Sequence, residues 1–197
     1  MGRRSDHSRP ELAQLIVAEG HRQMAERGFA GFSARRVARA IGYSVGTLYN
    51  VFPSHDYLVS AINARTFELW TAHLRGNLER SGEDRIKALV EAYFSFARDN
   101  PNLWMAIYDH RLPPGMVMPE ADAERRAELV GIVVAEVAKV VQDRSPEELQ
   151  RLARSLIATV HGHCAFDLNG SFELMKEPDP VGIALDRVRQ ALAAESG

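Results

Sequence analysis

Ser33-Ala-Arg-Arg-Val-Ala-Arg-Ala-Ile-Gly-Tyr-Ser-Val-Gly-Thr-Leu-Tyr-Asn-Val-Phe52 decides how this 197-residue chain is read. Val37, Ala38 and Ile41 stand three and four apart, the spacing of one face of a short helix. Ala38 is small where a second helix must cross. Gly42 suits the left-handed turn that ends such a helix. Ser44 is placed to cap the next one. In that second helix Leu48 and Val51 point back at the first, leaving Val45, Thr47, Tyr49 and Asn50 for the outer surfaces. Two short helices joined this way form a helix-turn-helix, and the second has the size to enter a DNA major groove. An ordinary helical hairpin in a core is the competing reading. The flanks count against it. Phe29 and Phe32 precede the motif, Phe52-Pro53-Ser54 closes it, and Ser54 restarts a helix with Asp56 in its positive first turn.

Outward from the motif, the charge is uneven. Residues up to His55 hold eight arginines and four acids, whereas the rest hold 16 basic and 22 acidic side chains. A basic head on an acidic body suits a head that meets phosphates, although such asymmetry is also common on solvated surface. Hydrophobic residues make up 46% of the chain without a long apolar run, which predicts a soluble protein with no membrane span. No signal-peptide core is visible near Met1, and Asp6 occupies the place where a myristoylation signal needs Ser or Thr. The single cysteine, Cys164, excludes an internal disulfide and fits a cytoplasmic location.

The remaining pattern is all-α, with about nine helices expected. Residues 1–9 read as a flexible basic arm containing Arg3, Arg4 and Arg9. Residues 10–54 read as the helix-turn-helix domain, its first helix running from Pro10 to about Arg27 with Gly28 as stop. A helix over 54–80 links this domain to a second helical domain at 81–197. There, Ile86, Leu89, Val90, Tyr93, Phe94 and Ala97 keep helical spacing. Asn100-Pro101 opens a short helix, and 112–119 is a loop. A long helix from about Glu120 to Asp143 carries a β-branched run. Ser145-Pro146-Glu147-Glu148 is a capping box, and Asp179-Pro180 opens the last helix.

Residues Pro10 to about Trp70 resemble the DNA-binding domain of the tetracycline-repressor family. The matching residues are Gly28-Phe29, Phe32-Ser33, Val37-Ala38, Ile41-Gly42, Ser44, Gly46-Thr47-Leu48-Tyr49, Phe52, and Leu58 with Ile62. Two positions depart from the family pattern. Val51 replaces an aromatic or His, and His55 replaces a Lys that contacts phosphate. On this reading Ser33, Arg35, Arg36 and His55 meet phosphates, and Ser44 and Tyr49 position the backbone. Val45, Thr47 and Asn50 read base edges. The resemblance implies a homodimer on a palindromic double-stranded operator, released when a small, largely apolar effector binds the second domain. The His161-Gly162 pair resembles a subgroup marked by a Trp followed by His-Gly, with Ile157 where that Trp would stand.

In the second domain, the resemblance implies an effector pocket. Its candidates are Trp70, Tyr93, Phe96, Trp104, Tyr108, His110, Met116, His161 and Cys164. The same residue types also build plain core. The last two long helices carry wide apolar faces, which on pattern alone suit pairing with a symmetry copy or use inside one subunit equally well; the resemblance implies the first, with dimer contacts at Leu156, Val160, Gly162, Leu185, Val188 and Leu192. No metal or other cofactor is expected. His161 and His163 are two apart on one helix and face away from each other, leaving His163 or Cys164 with Asp167 as the pairings a metal would need. No catalytic elbow, phosphate loop or dinucleotide fingerprint appears, so an enzyme is not expected. The alternative function is a helical ligand-binding or adaptor protein that has lost DNA binding.

Overall fold

The computed structural model describes residues 7–195, and these form ten helices with no strand. The part of the expected arm at residues 1–6, Arg3 and Arg4 included, lies outside the described residues. The described residues divide by packing into two units, those up to 68 with 100–125, and 69–99 with those from 126 onward.

The first unit begins with α1 (Arg9–Arg27), whose Ser8 N–H donates to the Glu11 carboxylate at 2.7 Å. Then come α2 (Ala34–Ala40) and α3 (Val45–Val51). Gly42 turns between them at φ 78°, in the left-handed region where a side chain costs energy. Ser44 Oγ accepts from the Thr47 N–H at 3.1 Å and caps α3. The next helix, α4 (His55–Arg80), starts behind Ser54, whose hydroxyl accepts from the Tyr57 N–H at 3.3 Å. Ile16, Met24, Val37, Leu48, Leu58 and Ile62 form the fully buried centre of this unit. Gly20 of α1 is a contact point, because a Cβ there would lie 2.6 Å from Ile62 Cδ1.

Helix α6 (Pro101–Asp109) belongs with this head, not with the body expected after Arg80. The reason lies in its contacts. Leu103 and Ala106 join the head core. Asn102 Nδ2 donates to the Ala25 carbonyl at 2.7 Å, and Asn63 Nδ2 to the Ala106 carbonyl at 3.2 Å.

The second unit combines the C-terminal part of α4 with α5 (Arg85–Asp99), most of α7 (Glu120–Val137), α8 (Pro146–Leu168), α9 (Ser171–Leu174) and α10 (Pro180–Glu195). Helix α8 opens with the expected capping box: Ser145 Oγ accepts from the Glu148 N–H at 3.3 Å, and Glu148 Oε2 accepts from the Ser145 N–H at 2.8 Å. Helix α7 stops at Val137, six residues before the expected end. Beyond it the Lys139 and Val140 amides reach back three residues, to Glu136 and Val137, and the tightened turn buries Val141. The single turn α9, entered through Gly170 at φ 76°, is the helix beyond the expected nine.

Candidate nucleic-acid interface and ligand cavity

Helix α3 buries Leu48 completely, and Val45 and Val51 pack partly against the same core. Val51 is therefore a packing position. Val45 is half-buried, so less of it faces outward than expected. The exposed side of α3 carries Gly46, Tyr49 and Asn50, with Ser44 beside them. Thr47 is half-buried, and its Oγ1 lies 2.9 Å from Ser44 Oγ. On α2, Arg35, Arg36 and Arg39 are exposed, and Arg36 donates to the Gly31 carbonyl. Ser33 is half-buried at the start of α2. His55 is exposed at the start of α4, its ring 5.6 Å from that of Phe32. Two further groups flank α3 that the sequence did not single out at this place. His7 Nδ1 lies 2.8 Å from the Tyr43 hydroxyl, and Arg9 Nη2 donates to the Asn50 carbonyl at 3.4 Å. Basic and hydrogen-bonding side chains thus surround a short exposed helix, a combination able to grip phosphates and read base edges.

In the second unit a cavity of about 50 Å³ is lined by side chains of α4, α5, α7, α8 and α10, among them Leu74, Leu89, Val133, Ile157 and Val188. Of the aromatic and polar pocket candidates, Tyr93 is on its wall. Trp70 stands edge-on to Tyr93, ring centres 4.9 Å apart, and stacks flat on Phe96 at 5.0 Å. His161 Nδ1 shares a hydrogen bond with the Tyr93 hydroxyl at 3.1 Å, and burial holds this imidazole below its ordinary pKa. Cys164 is buried, and desolvation together with the Asp167 carboxylate pushes its thiol up to about 12. Trp104, Tyr108, His110 and Met116 belong to the first unit. There Trp104 is buried against Tyr108, and His110 Nε2 pairs with Asp56 Oδ1 at 3.2 Å beside the Phe29 ring.

The dimer contacts expected from the sequence need correction. Leu156, Val160, Leu185, Val188 and Leu192 are all buried within one subunit, where α8 and α10 pack on each other. Their apolar faces are used inside the unit. Gly162 alone of the six is exposed, and nothing within 4 Å would meet a Cβ there. It belongs to a stripe of exposed residues along α8, Ser155, Ala158, Gly162 and Phe166, spaced three and four apart.

Among the described residues no group of three His, Cys, Asp or Glu side chains is placed to hold a metal. Asp167 accepts from Arg98 Nε at 2.8 Å, and the His163 ring bonds the Thr159 carbonyl through Nδ1 at 2.8 Å. Arg85 and Glu136, 51 positions apart, form a two-pronged ion pair that no local sequence signal announces.

Comparison with known proteins gives a consistent picture. A family profile described as "Bacterial regulatory proteins, tetR family" matches residues 16–62. A second, "Tetracyclin repressor-like, C-terminal domain", matches residues 86–188, just over half of the chain. The chain therefore belongs to the tetracycline-repressor family of bacterial transcription regulators. The HTH-type transcriptional regulator Mb1846 of Mycobacterium bovis is 26% identical over 139 residues, which is 66% of this chain and 57% of that relative. This chain thus spans little more than half of that curated relative. A protein of unknown function from Rhodococcus sp. RHA1 shares the fold over 100% of both chains, with a TM-score of 0.73 and 22% identity. The regulator FadR of Bacillus subtilis, in complex with stearoyl-CoA, aligns with a TM-score of 0.62 at 12% identity over 93% of this chain and 97% of FadR.

Proposed function

We propose that this protein is a dimeric, sequence-specific repressor, released from a palindromic operator by a small molecule bound in its second unit and acting in the cytoplasm. The observation that carries the reading is the capped helix α3, which leaves Tyr49 and Asn50 exposed between the arginines of α2 and His55. Arg35, Arg36 and His55 supply phosphate contacts, which position but do not specify. Asn50 is the base reader, its amide suited to adenine, with Thr47 and Val45 contributing their outer atoms.

One recognition helix reads too few base pairs for a useful site, and a two-fold dimer doubles it. The exposed stripe Ser155, Ala158, Gly162 and Phe166 supports pairing along α8, because small residues allow two helices to approach closely. Helix α4 is continuous from His55 to Arg80 and contributes residues to both units. A ligand needs a differential affinity of only about 1–3 kcal/mol to tip the balance between bound and released states. No helix among the described residues is long and apolar enough to cross a membrane.

The test is titration of the protein against selected DNA at several salt concentrations. Sequence-selective binding at two subunits per palindrome, weakening steeply with salt, is the expected result. Binding indifferent to sequence after selection from random DNA overturns it.

A further inference from the structure

Residues 7–9, where α1 begins, reach both ends of α3. At the near end, His7 Nδ1 shares a hydrogen bond of 2.8 Å with the hydroxyl of Tyr43, the residue before the Ser44 cap. The two rings lie 6.1 Å apart at 56°. At the far end, Arg9 Nη2 donates to the carbonyl of Asn50, the last residue but one of α3, at 3.4 Å. The partners are 36 and 41 positions apart, so no local rule of turns or caps requires either bond. The segment that makes them is itself held. Ser8 stands at the N-cap of α1, its N–H donates to Glu11 at 2.7 Å, and Pro10 fixes the backbone of the first turn. Leu12, just beyond, lies in the same core as Leu48 of α3.

A helix of seven residues is too short to hold its own pose. Its last four carbonyls lack partners within the helix; the Phe52 N–H takes that of Leu48, and Arg9 takes that of Asn50. Arg9 thus grips the backbone of the residue whose amide is the proposed base reader. Base-edge hydrogen bonds are directional and need α3 at one depth and tilt, whereas attraction to phosphates tolerates small shifts. We propose that His7 and Arg9 form a clasp that sets the pose of α3 and so narrows its choice of DNA sequence, both acting as positioning residues and not as phosphate contacts. The reading pose is then prepared before DNA arrives, which lowers the ordering cost of the specific complex. This deepens the DNA-binding reading above and rests on it.

The test measures affinity of the full chain for a palindrome selected from random DNA and for a scrambled duplex, each over a range of salt. The variants are Arg9→Met, Arg9→Lys, His7→Ala, Tyr43→Phe, and the double variant of the last two. Losing one hydrogen bond weakens the palindrome complex about two- to tenfold in Arg9→Met, His7→Ala and Tyr43→Phe. The scrambled duplex is bound nearly as by the parent. Arg9→Lys, which keeps a donor, recovers most of the loss. The double variant costs no more than either single one, because both remove the same bond. Equal weakening on both duplexes in Arg9→Met, with a salt slope lower by about one, makes Arg9 a phosphate contact and overturns the clasp. Additive losses in the His7 and Tyr43 variants overturn it too. So does a lowered urea midpoint with parallel weakening on both duplexes, the mark of a merely structural role. If the parent is selective and every variant matches it, the clasp alone falls. If the parent binds both duplexes alike, the DNA reading falls and takes the clasp with it.

Discussion

Arg85 and Glu136 hold α5 and α7 together through two parallel hydrogen bonds, Nε to Oε2 at 2.6 Å and Nη2 to Oε1 at 2.7 Å. Lys139 Nζ adds contacts to both oxygens of the same carboxylate, at 2.9 and 3.0 Å. Glu136 is 6% exposed, so this is a nearly buried carboxylate held by the fork geometry that suits arginine. Hydrogen bonding from Arg85 outweighs burial and lowers the Glu136 pKa to about 2. A folded-state pKa below the unfolded one contributes stability at neutral pH that is lost as pH falls. The window runs from about 4.5 down to about 2. Glu136→Gln therefore lowers unfolding free energy at pH 7 by about 1–3 kcal/mol. The difference from wild type shrinks steadily below pH 4.5. Urea titrations of both proteins at neutral pH and at two points inside the acid window check this, and a pH-independent difference contradicts it.

Gly42 sits at φ 78° between α2 and α3. Gly42→Ala places a Cβ in the left-handed region and destabilises the head by about 1–2 kcal/mol. Urea midpoints measure the effect. An unchanged midpoint means that the turn relaxes.

Arg35 and Asn50 are both exposed, but the proposed roles separate them in the assay. Arg35→Ala weakens binding to every sequence alike and flattens the salt slope by about 1 for each phosphate that is no longer neutralised. Asn50→Ala costs about 1–3 kcal/mol on the preferred site and relaxes the requirement at one base pair of each half-site. Site selection with each variant distinguishes them, and equal weakening on all sequences for Asn50→Ala removes it as a base reader.

Gly162 gives a test of the dimer face. Among the described residues of one chain, a Cβ at this position meets nothing within 4 Å. Gly162→Leu therefore keeps the helical circular dichroism of the parent while driving the chain to monomers in sedimentation equilibrium. A dimer of unchanged affinity would place the interface elsewhere.

Cys164 is fully buried with its thiol pushed up to about 12. The reactive thiolate is then scarce at mildly alkaline pH, and the sulfur is out of reach. An aromatic disulfide reagent labels it only as fast as the second unit opens, and denaturant accelerates the reaction in step with unfolding. Labelling at the rate of a small-molecule thiol contradicts this burial.

The head was legible because its instructions are local. The Ser44 cap, the Gly42 turn and the Ser54 cap each act within three or four residues, and the structure places them as the sequence implied. The capping box at Ser145 was legible for the same reason. The body depends on which of two apolar faces meets which neighbour. Leu156 and Leu185 read equally well as inner or outer residues, and the packing of α8 on α10 takes them inside. Aromatic composition likewise misdirects the eye. Trp70 and Phe96 stack on each other and fill space, while aliphatic residues from five helices leave the gap. The end of α7 was hidden because Val140 and Val141 continue its pattern, and only the burial of Val141 decides where the helix tightens.

The gap itself measures about 50 Å³, a third of the roughly 150 Å³ that admits benzene to an engineered apolar cavity. Occupancy and deformation are then one event, since a guest of any bulk has to part Leu74, Leu89 and Val133 to be seated at all. On the proposed effector reading, a ligand seated here would be sorted first by its volume, because the side chains around the gap have to move apart to admit it.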